Sequence, residues 1–249
     1  MSIRTEIREH IGEVVLDHPP VNALDSQSWN ELAQLISELG RRPEVRCLLI
    51  RAEGRGFCAG VDIKEMQQHP ERIVALNRGN FLTFRAVRSC EVPVVTAVQG
   101  FVIGGGVGIC GASDVILAAR DAYFSLPEID RGAMGGASHL LRLLPLHKVR
   151  AAFFTGGRIS AEEAERLGAI ERLVPAKQLL KEARAFAALI AAKSRRALVL
   201  AKEALNGLEP RDVDHGYRFE QGFTLEMYLH EDSQKARDAF LKGKRAAKY

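Results

Sequence analysis

The chemistry in this sequence gathers in two glycine-rich stretches. The first is Arg55-Gly-Phe-Cys-Ala-Gly-Val-Asp-Ile-Lys-Glu-Met and the second is Val98-Gln-Gly-Phe-Val-Ile-Gly-Gly-Gly. Each follows an apolar, strand-like segment and leads into a helix. Glycine lets backbone and ligand approach closely. Unpaired N–H groups at a helix start suit an oxygen that becomes negative during a reaction. Either stretch alone reads as a tight turn; the two lie about 45 residues apart. Beyond them, Glu128 in Leu126-Pro-Glu-Ile is the candidate acid/base, against the plainer role of capping its own loop. Asp130 and His139 follow, and for each a surface or helix-cap position is expected ahead of a place in a pocket. Cys58 has no basic neighbour and reads as small loop packing rather than a nucleophile. Asp62 reads as the cap of the helix after the first loop.

Other chemistries find no support. The chain has no GxSxG elbow and no Walker loop. Gly106-Val-Gly108-Ile-Cys-Gly111 fits GxGxxG, but a dinucleotide site needs its glycines to turn directly off a strand. Here Gly100-Phe-Val-Ile and a glycine triplet intervene, so NAD binding is not expected. The four cysteines (Cys47, Cys58, Cys90 and Cys110) form no CxxC pair and have no histidine at metal spacing. Reduced, buried thiols and no metal are expected. Net charge is +4 and scattered, apart from the basic tail Lys242, Lys244, Arg245 and Lys248, which reads as a solvated, frayed end. No nucleic-acid motif is present. No apolar run reaches bilayer length, and the N-terminus lacks a signal core. These absences point to a cytoplasmic protein with no membrane or nucleic-acid partner.

The elements that must position these residues alternate between strand and helix. Ile3–Arg8 and Glu13–Asp17 alternate like paired strands. Trp29, Leu32, Ile36 and Leu39 recur at helical spacing and Gly40 stops the run. A strand is predicted over 45–51, a helix from near Asp62, a longer helix over 71–90 and a strand over 94–98. A small-residue helix should then run to about Ala112. Strands follow over 114–119 and 122–125, then helices over 137–144 and 148–155. Ser160-Ala-Glu-Glu reads as a capping box, and 169–174 as a last strand. After Pro175 the chain is helical, with breaks at Ser194, Asn206–Pro210 and around Asp232. The class is α/β with crossover connections, divided into a core over 1–193 and a helical region over 194–249.

The two glycine loops, continued by Ala122-Tyr-Phe-Ser-Leu-Pro-Glu-Ile, resemble the crotonase (enoyl-CoA hydratase/isomerase) superfamily over essentially the whole chain. The resemblance implies a spiral of ββα units followed by helices that build a homotrimer, or a hexamer of paired trimers. It implies an acyl-CoA substrate, with no separate cofactor. The oxyanion-hole amides would be those of Val61 and Gly105. Val61, Asp62, Ile63 and Lys64 would line the CoA channel, and Val21 and Ala23 of Pro-Pro-Val-Asn-Ala would lie beside the CoA moiety. The acyl group would meet side chains of the 71–90 helix and of the C-terminal region. Hydratases of the superfamily use two glutamates. Glu128 matches one, whereas Gly108 stands where the other belongs, and glycine cannot move a proton. Arg51–Gln67, Leu126–Gly132 and Tyr217-Arg-Phe-Glu-Gln-Gly-Phe-Thr resemble a narrower group, the ring-opening hydrolases of bacterial steroid breakdown. That implies hydrolytic C–C cleavage of a cyclic β-keto acyl-CoA with Glu128 as acid/base. The alternatives are a hydratase or isomerase on an unusual acyl group and a catalytically silent acyl-CoA-binding protein.

Overall fold

A computed structural model describes residues 3–210 and 212–243. Lys244, Arg245 and Lys248 of the basic tail lie outside the described residues. The large sheet has six strands: β1 (Ile3–Arg8), β2 (Ile11–Leu16), β4 (Cys47–Ala52), β6 (Val94–Val98), β8 (Val115–Ala119) and β11 (Arg172–Val174), in that spatial order. β1 pairs antiparallel with β2 and every later pairing is parallel. Three short strands are peeled away from it: β7 (Phe101–Ile103), β9 (Tyr123–Ser125) and β10 (Arg158–Ser160) form a second sheet. β3 (Ala23–Leu24) and β5 (Gly60–Val61) form a two-stranded third. From β4 onward the chain repeats one move. A strand enters the large sheet, the next joins a small sheet, and a helix returns: β4 then β5, β6 then β7, β8 then β9. This is a mixed α/β spiral.

The helices are α1 (Ser26–Arg41), α2 (Ile63–Gln68), α3 (Ile73–Arg88), α4 (Gly105–Ala112), α5 (Ala137–Leu143), α6 (Leu146–Thr155), α7 (Ala161–Arg166), α8 (Leu179–Ala191), α9 (Arg195–Leu208), α10 (Val213–Leu229) and α11 (Glu231–Leu241). The apolar stripe predicted for α1 is the buried one, with Trp29, Leu32 and Ile36 fully enclosed. Most predicted elements form within a few residues of their expected ends.

Several expectations are corrected. The second segment is not a half-exposed strand: all six residues of β2 are buried, because β2 lies between β1 and β4 with helices on its faces. Its Glu13 is tolerated there by Arg51 at 3.0 Å and Arg184 at 2.5 Å, which hold its carboxyl below the ordinary carboxylate range against the opposing effect of burial. The short strands β3, β5, β7 and β10 have too few residues to show a period. The capping box is half formed. Ser160 accepts the Glu163 N–H at 3.1 Å, but the Glu163 carboxylate turns to Lys148 at 2.7 Å.

The later helices are tied into the spiral by polar groups as well as apolar ones. Lys202 on α9 is only 4% exposed, and its ammonium donates to the carbonyls of Val87 and Val92 and to Asp114 at 2.7 Å. Removing the cation leaves Val92 O without this donor and the Asp114 carboxylate with only the Val94 N–H. Lys202→Met is therefore expected to lower the unfolding free energy by on the order of 3 kcal/mol, read from the shift in a chemical-denaturation midpoint.

Candidate active site

The glycine at position 60 sets the first part of the site. It adopts φ +86°, and a β-carbon there would lie 3.1 Å from the Ile103 carbonyl oxygen and 3.2 Å from the Gly105 nitrogen. Only a residue without a side chain lets β5 lie this close to the start of α4. β5 is held on its other side by β3, with Ala23 opposite Gly60 and Leu24 opposite Val61. The Asp62 N–H donates to Leu24 O at 2.9 Å. Successive N–H groups of an extended strand point to opposite sides, so the N–H of Val61 points away from Leu24 O and β3.

The second donor comes from the helix start. Gly104 precedes α4 with φ +54°, and Gly105 is the first helical residue. The first N–H groups of a helix have no partner within it and carry its positive pole. Behind Gly105 lies Trp29, whose Cζ2 would be 2.5 Å from any β-carbon there. The Gly105 backbone is thus clamped between an aromatic ring and the cleft.

Asn22 fixes this pair in place. It is 3% exposed and adopts φ 52°. Its amide donates to the carbonyls of Glu53, Gly56 and Phe57, and its oxygen accepts the His18 N–H at 2.7 Å. One side chain therefore binds the β3 segment to the loop entering β5. Cys58 belongs to the same clamp: its thiol donates to Asn22 O at 3.2 Å and it is fully buried. Burial pushes its pKa up to about 12, so it is not a nucleophile.

Glu128 sits on a 3-10 turn, Pro127–Arg131. One carboxylate oxygen lies against the Cα side of Gly104, where a β-carbon would collide with it. The other, Oε2, is shielded from solvent and has no hydrogen-bond partner among the described residues. Burial is the leading cause of a pKa raised to about 7, opposed by its own backbone N–H and by Arg131. A carboxyl poised there can take and return a proton near neutral pH.

The structure brings Val61, Ile63, Gly105 and Glu128 to one cleft. Val21, Ala23, Asp62 and Lys64 lie on the adjoining β3–β5 edge and the start of α2. Asp62 caps α2 by accepting the Lys64 N–H at 2.9 Å, as expected, and Lys64 is exposed. The far wall is Ile73, Leu76, Asn80 and Phe84 of α3 facing Tyr217 and Tyr228 of α10. Glu220 holds α10 against the site, accepting the N–H groups of Ala137 at 2.8 Å and Ser138 at 3.0 Å at the start of α5. Asn22, Phe84 and Glu220 went unnoticed as site-shaping residues in the sequence, because what each does depends on partners far along the chain.

His139 is corrected. It is neither on the surface nor a cap but fully buried in α5, with no partner for either ring nitrogen among the described residues. It packs edge-on against Phe84 and Tyr217, and burial lowers its pKa to about 3. It is a neutral ring behind the wall, not a proton carrier. Asp130 is exposed, as expected. Among the described residues no group of three or more His, Cys, Asp or Glu is placed to hold a metal, and no helix is long and apolar enough to cross a membrane.

The sequence model of the enoyl-CoA hydratase/isomerase family matches residues 6–249. The chain belongs to this family. A (7aS)-7a-methyl-1,5-dioxo-2,3,5,6,7,7a-hexahydro-1H-indene-carboxyl-CoA hydrolase from Rhodococcus jostii (strain RHA1) is 48% identical over 233 residues, 93% of this chain and 90% of that protein. A hydrolase of the same name from Mycobacterium tuberculosis (strain ATCC 25618 / H37Rv) is 48% identical over 235 residues, 93% of this chain and 95% of that protein. In fold, the chain matches the crystal structure of an enoyl-CoA hydratase from Mycobacterium avium subsp. paratuberculosis K-10 with a TM-score of 0.89 at 22% identity, covering 100% of this chain and 99% of that one. The crotonase fold expected from the sequence is therefore the observed one, and this family member is an acyl-CoA enzyme.

Against that background the glycines of α4 acquire a reason. Gly106 packs on Cys58, Gly108 on Phe84 and Gly111 on His139. The GxGxxG run faces protein on every side, as its reading as something other than a dinucleotide loop requires. At Gly108 a β-carbon would overlap the Phe84 ring, with Cε1 at 2.6 Å. The space a glutamate would need is filled by an aromatic cluster, in which Phe84 meets Trp29, His139 and Tyr217 at centroid distances of 5.9, 4.7 and 5.1 Å. Gly108→Ala is expected to destabilise the enzyme through overpacking of about 1–3 kcal/mol, despite alanine's better helix propensity. In a thermal-denaturation double-mutant cycle, Phe84→Leu in that background should be less damaging than the two single changes summed.

Proposed function

We propose that this enzyme opens a ring of a cyclic β-keto acyl-CoA by hydrolysis. The observation that carries the reading is that one carboxyl group, Glu128, faces the two glycine loops while Phe84 fills the place of a second. Hydration of an alkene by two cooperating carboxyl groups has no second group here. Ring-opening hydrolysis needs only one. Similarity to two hydrolases of a bicyclic dioxo-indene-carboxyl-CoA supports the same class of substrate.

In this reading the CoA moiety runs along Val21, Ala23 and Val61–Lys64, and the thioester oxygen accepts the N–H groups of Val61 and Gly105. The acyl ring lies between α3 and α10. Glu128 takes a proton from water as the oxygen bonds to the ring ketone carbon. The tetrahedral alkoxide collapses to a carboxylic acid and the C–C bond breaks. The electron pair moves onto the thioester as an enolate, the species the two amides stabilise. Glu128 then returns its proton to carbon, and the new acid ionises to solvent. No separate cofactor enters these steps.

Exposed Leu189, Leu200, Leu205, Leu208 and Phe219 on α8–α10 support a further part of the proposal, assembly into a homotrimer or a hexamer. Four buried, unpaired cysteines support a cytoplasmic setting.

Mass spectrometry with 2-oxocyclohexane-carboxyl-CoA tests the reaction: gain of one water with ring opening is expected. Ready hydration of crotonyl-CoA with no ring opening would instead make the enzyme a hydratase. Glu128→Gln should lower kcat by about 10²–10⁴-fold with CoA affinity retained. Because the base must be ionised, kcat/KM of the native enzyme should rise with pH through about 7 and then level. The same shift acts on stability. Folding holds the group protonated, so its contribution is full below the ordinary value of 4.5 and is lost as pH rises toward 7. Glu128→Gln should therefore melt higher than the native enzyme at pH 8, with the gap closing near pH 4.5.

A further inference from the structure

The cleft carries two arginines with no carboxylate at ion-pair distance among the described residues. Arg131 lines it and makes no ion pair within 4 Å among the described residues; its guanidinium lies over the Phe240 ring at 4.5 Å. Arg237, on α11, also lines the cleft and is 8% exposed. It donates to Ser233 and Gln234 on its own helix, lies over the Tyr228 ring at 4.2 Å, and has an Nε with no partner. Much of the remaining wall is apolar, including Met66, Ile73, Leu76 and Phe84. Arg237 is buried and Arg131 half-buried; cations drawn out of water are ordinarily paired, so two with no ion pair in an apolar cleft mark a place for ligand oxygens.

Their position relative to the acid/base is set by local geometry. In a 3-10 turn, side chains at i and i+3 eclipse one another. Glu128 and Arg131 are the second and fifth residues of such a turn, so they leave it on the same side. α11 packs across this turn: a β-carbon at Gly132 would run into the backbone of Ser233. Arg237 therefore approaches from the opposite wall. A ketone carbon within reach of a water on Glu128 would have its oxygen near these guanidinium groups.

We propose that Arg131, backed by Arg237, forms a second oxyanion site. It holds the oxygen of the ring ketone as water adds and keeps hold of it as it becomes a carboxylate oxygen. The proposal rests on the ring-opening reading and deepens it. Hydrolysis of a cyclic ketone develops negative charge twice, first on the ketone oxygen and then on the thioester oxygen. The Val61 and Gly105 amides serve the second. The first needs a separate donor, since one pocket cannot hold two oxygens on different carbons. The electron pair of the C=O bond rests on the alkoxide beside the guanidinium, then re-forms the double bond as the ring C–C bond breaks.

The test uses full-length enzyme and two assays. One is steady-state ring opening of 2-oxocyclohexane-carboxyl-CoA. The other is exchange of α-hydrogens of a saturated acyl-CoA in D2O, which needs Glu128 and the thioester oxyanion hole but no ketone. Arg131→Gln should lower kcat for ring opening about 10²–10³-fold with a much smaller change in KM, while α-exchange stays within a few-fold. Arg131→Lys, which keeps the charge, should recover part of the loss. Arg237→Gln should show the same pattern more weakly. Equal loss in both assays would mean that Arg131 only positions Glu128, and undiminished ring opening would mean that it does nothing there; either overturns the second site. Native enzyme that opens no ring overturns the proposed function itself, a result separate from both.

Discussion

The site depends on one close approach of backbone to backbone. β5 and the first turn of α4 meet with a glycine on each side, and a single β-carbon at Gly60 would stand 3.2 Å from the Gly105 nitrogen. Other parts of the active centre serve that meeting. Asn22 anchors the loop that feeds β5, Trp29 backs Gly105, and the 3-10 turn lays Glu128 against Gly104. Main-chain N–H groups cannot change rotamer, so in the proposed reading the pair is organised before substrate arrives, and organisation in advance is what makes such donors effective.

Electrostatics divide the cleft into unlike regions. At the glycine loops the charge available is the partial positive charge of amides and a helix start. Beside them, burial first, and Glu220 to a lesser degree, raises the Glu128 pKa to about 7. Where a second carboxyl group would otherwise stand, Phe84, His139 and Tyr217 pack together, and His139 is held neutral by burial. The aromatic cluster fills that side of the cleft with apolar rings, which leaves no room for a side chain at Gly108.

Much of this was legible in the sequence, for identifiable reasons. The glycine loops, the Pro-Glu turn and Asp62 act through backbone geometry or immediate neighbours, and such features leave a local mark. The helical stripe of α1 was equally readable because burial repeats every turn. What stayed hidden is what depends on distant partners. Glu13 reads as a polar alternation and is instead a buried charge answered from residues 51 and 184. His139 reads as a cap and is a core ring because Phe84 and Tyr217 close over it. Of the strands of two or three residues, β9 and β11 lie in stretches that read as strands, whereas β3, β5, β7 and β10 left no readable period, yet β5 places Val61.

The glycine loops and the wall facing them are encoded differently, and this bears on how such an enzyme can diverge. The loops are written in glycines and in a backbone path, where an added β-carbon would meet neighbouring atoms. The wall is written in side chains of α3 and, more than a hundred residues later, of α10 and α11. Those side chains can drift one at a time, reshaping the cavity and moving its charges, while the thioester stays held as before. A site built this way can keep its backbone loops fixed while the facing wall is recut for a different acyl group. At Gly108, packed on Phe84, that wall reaches into α4 itself.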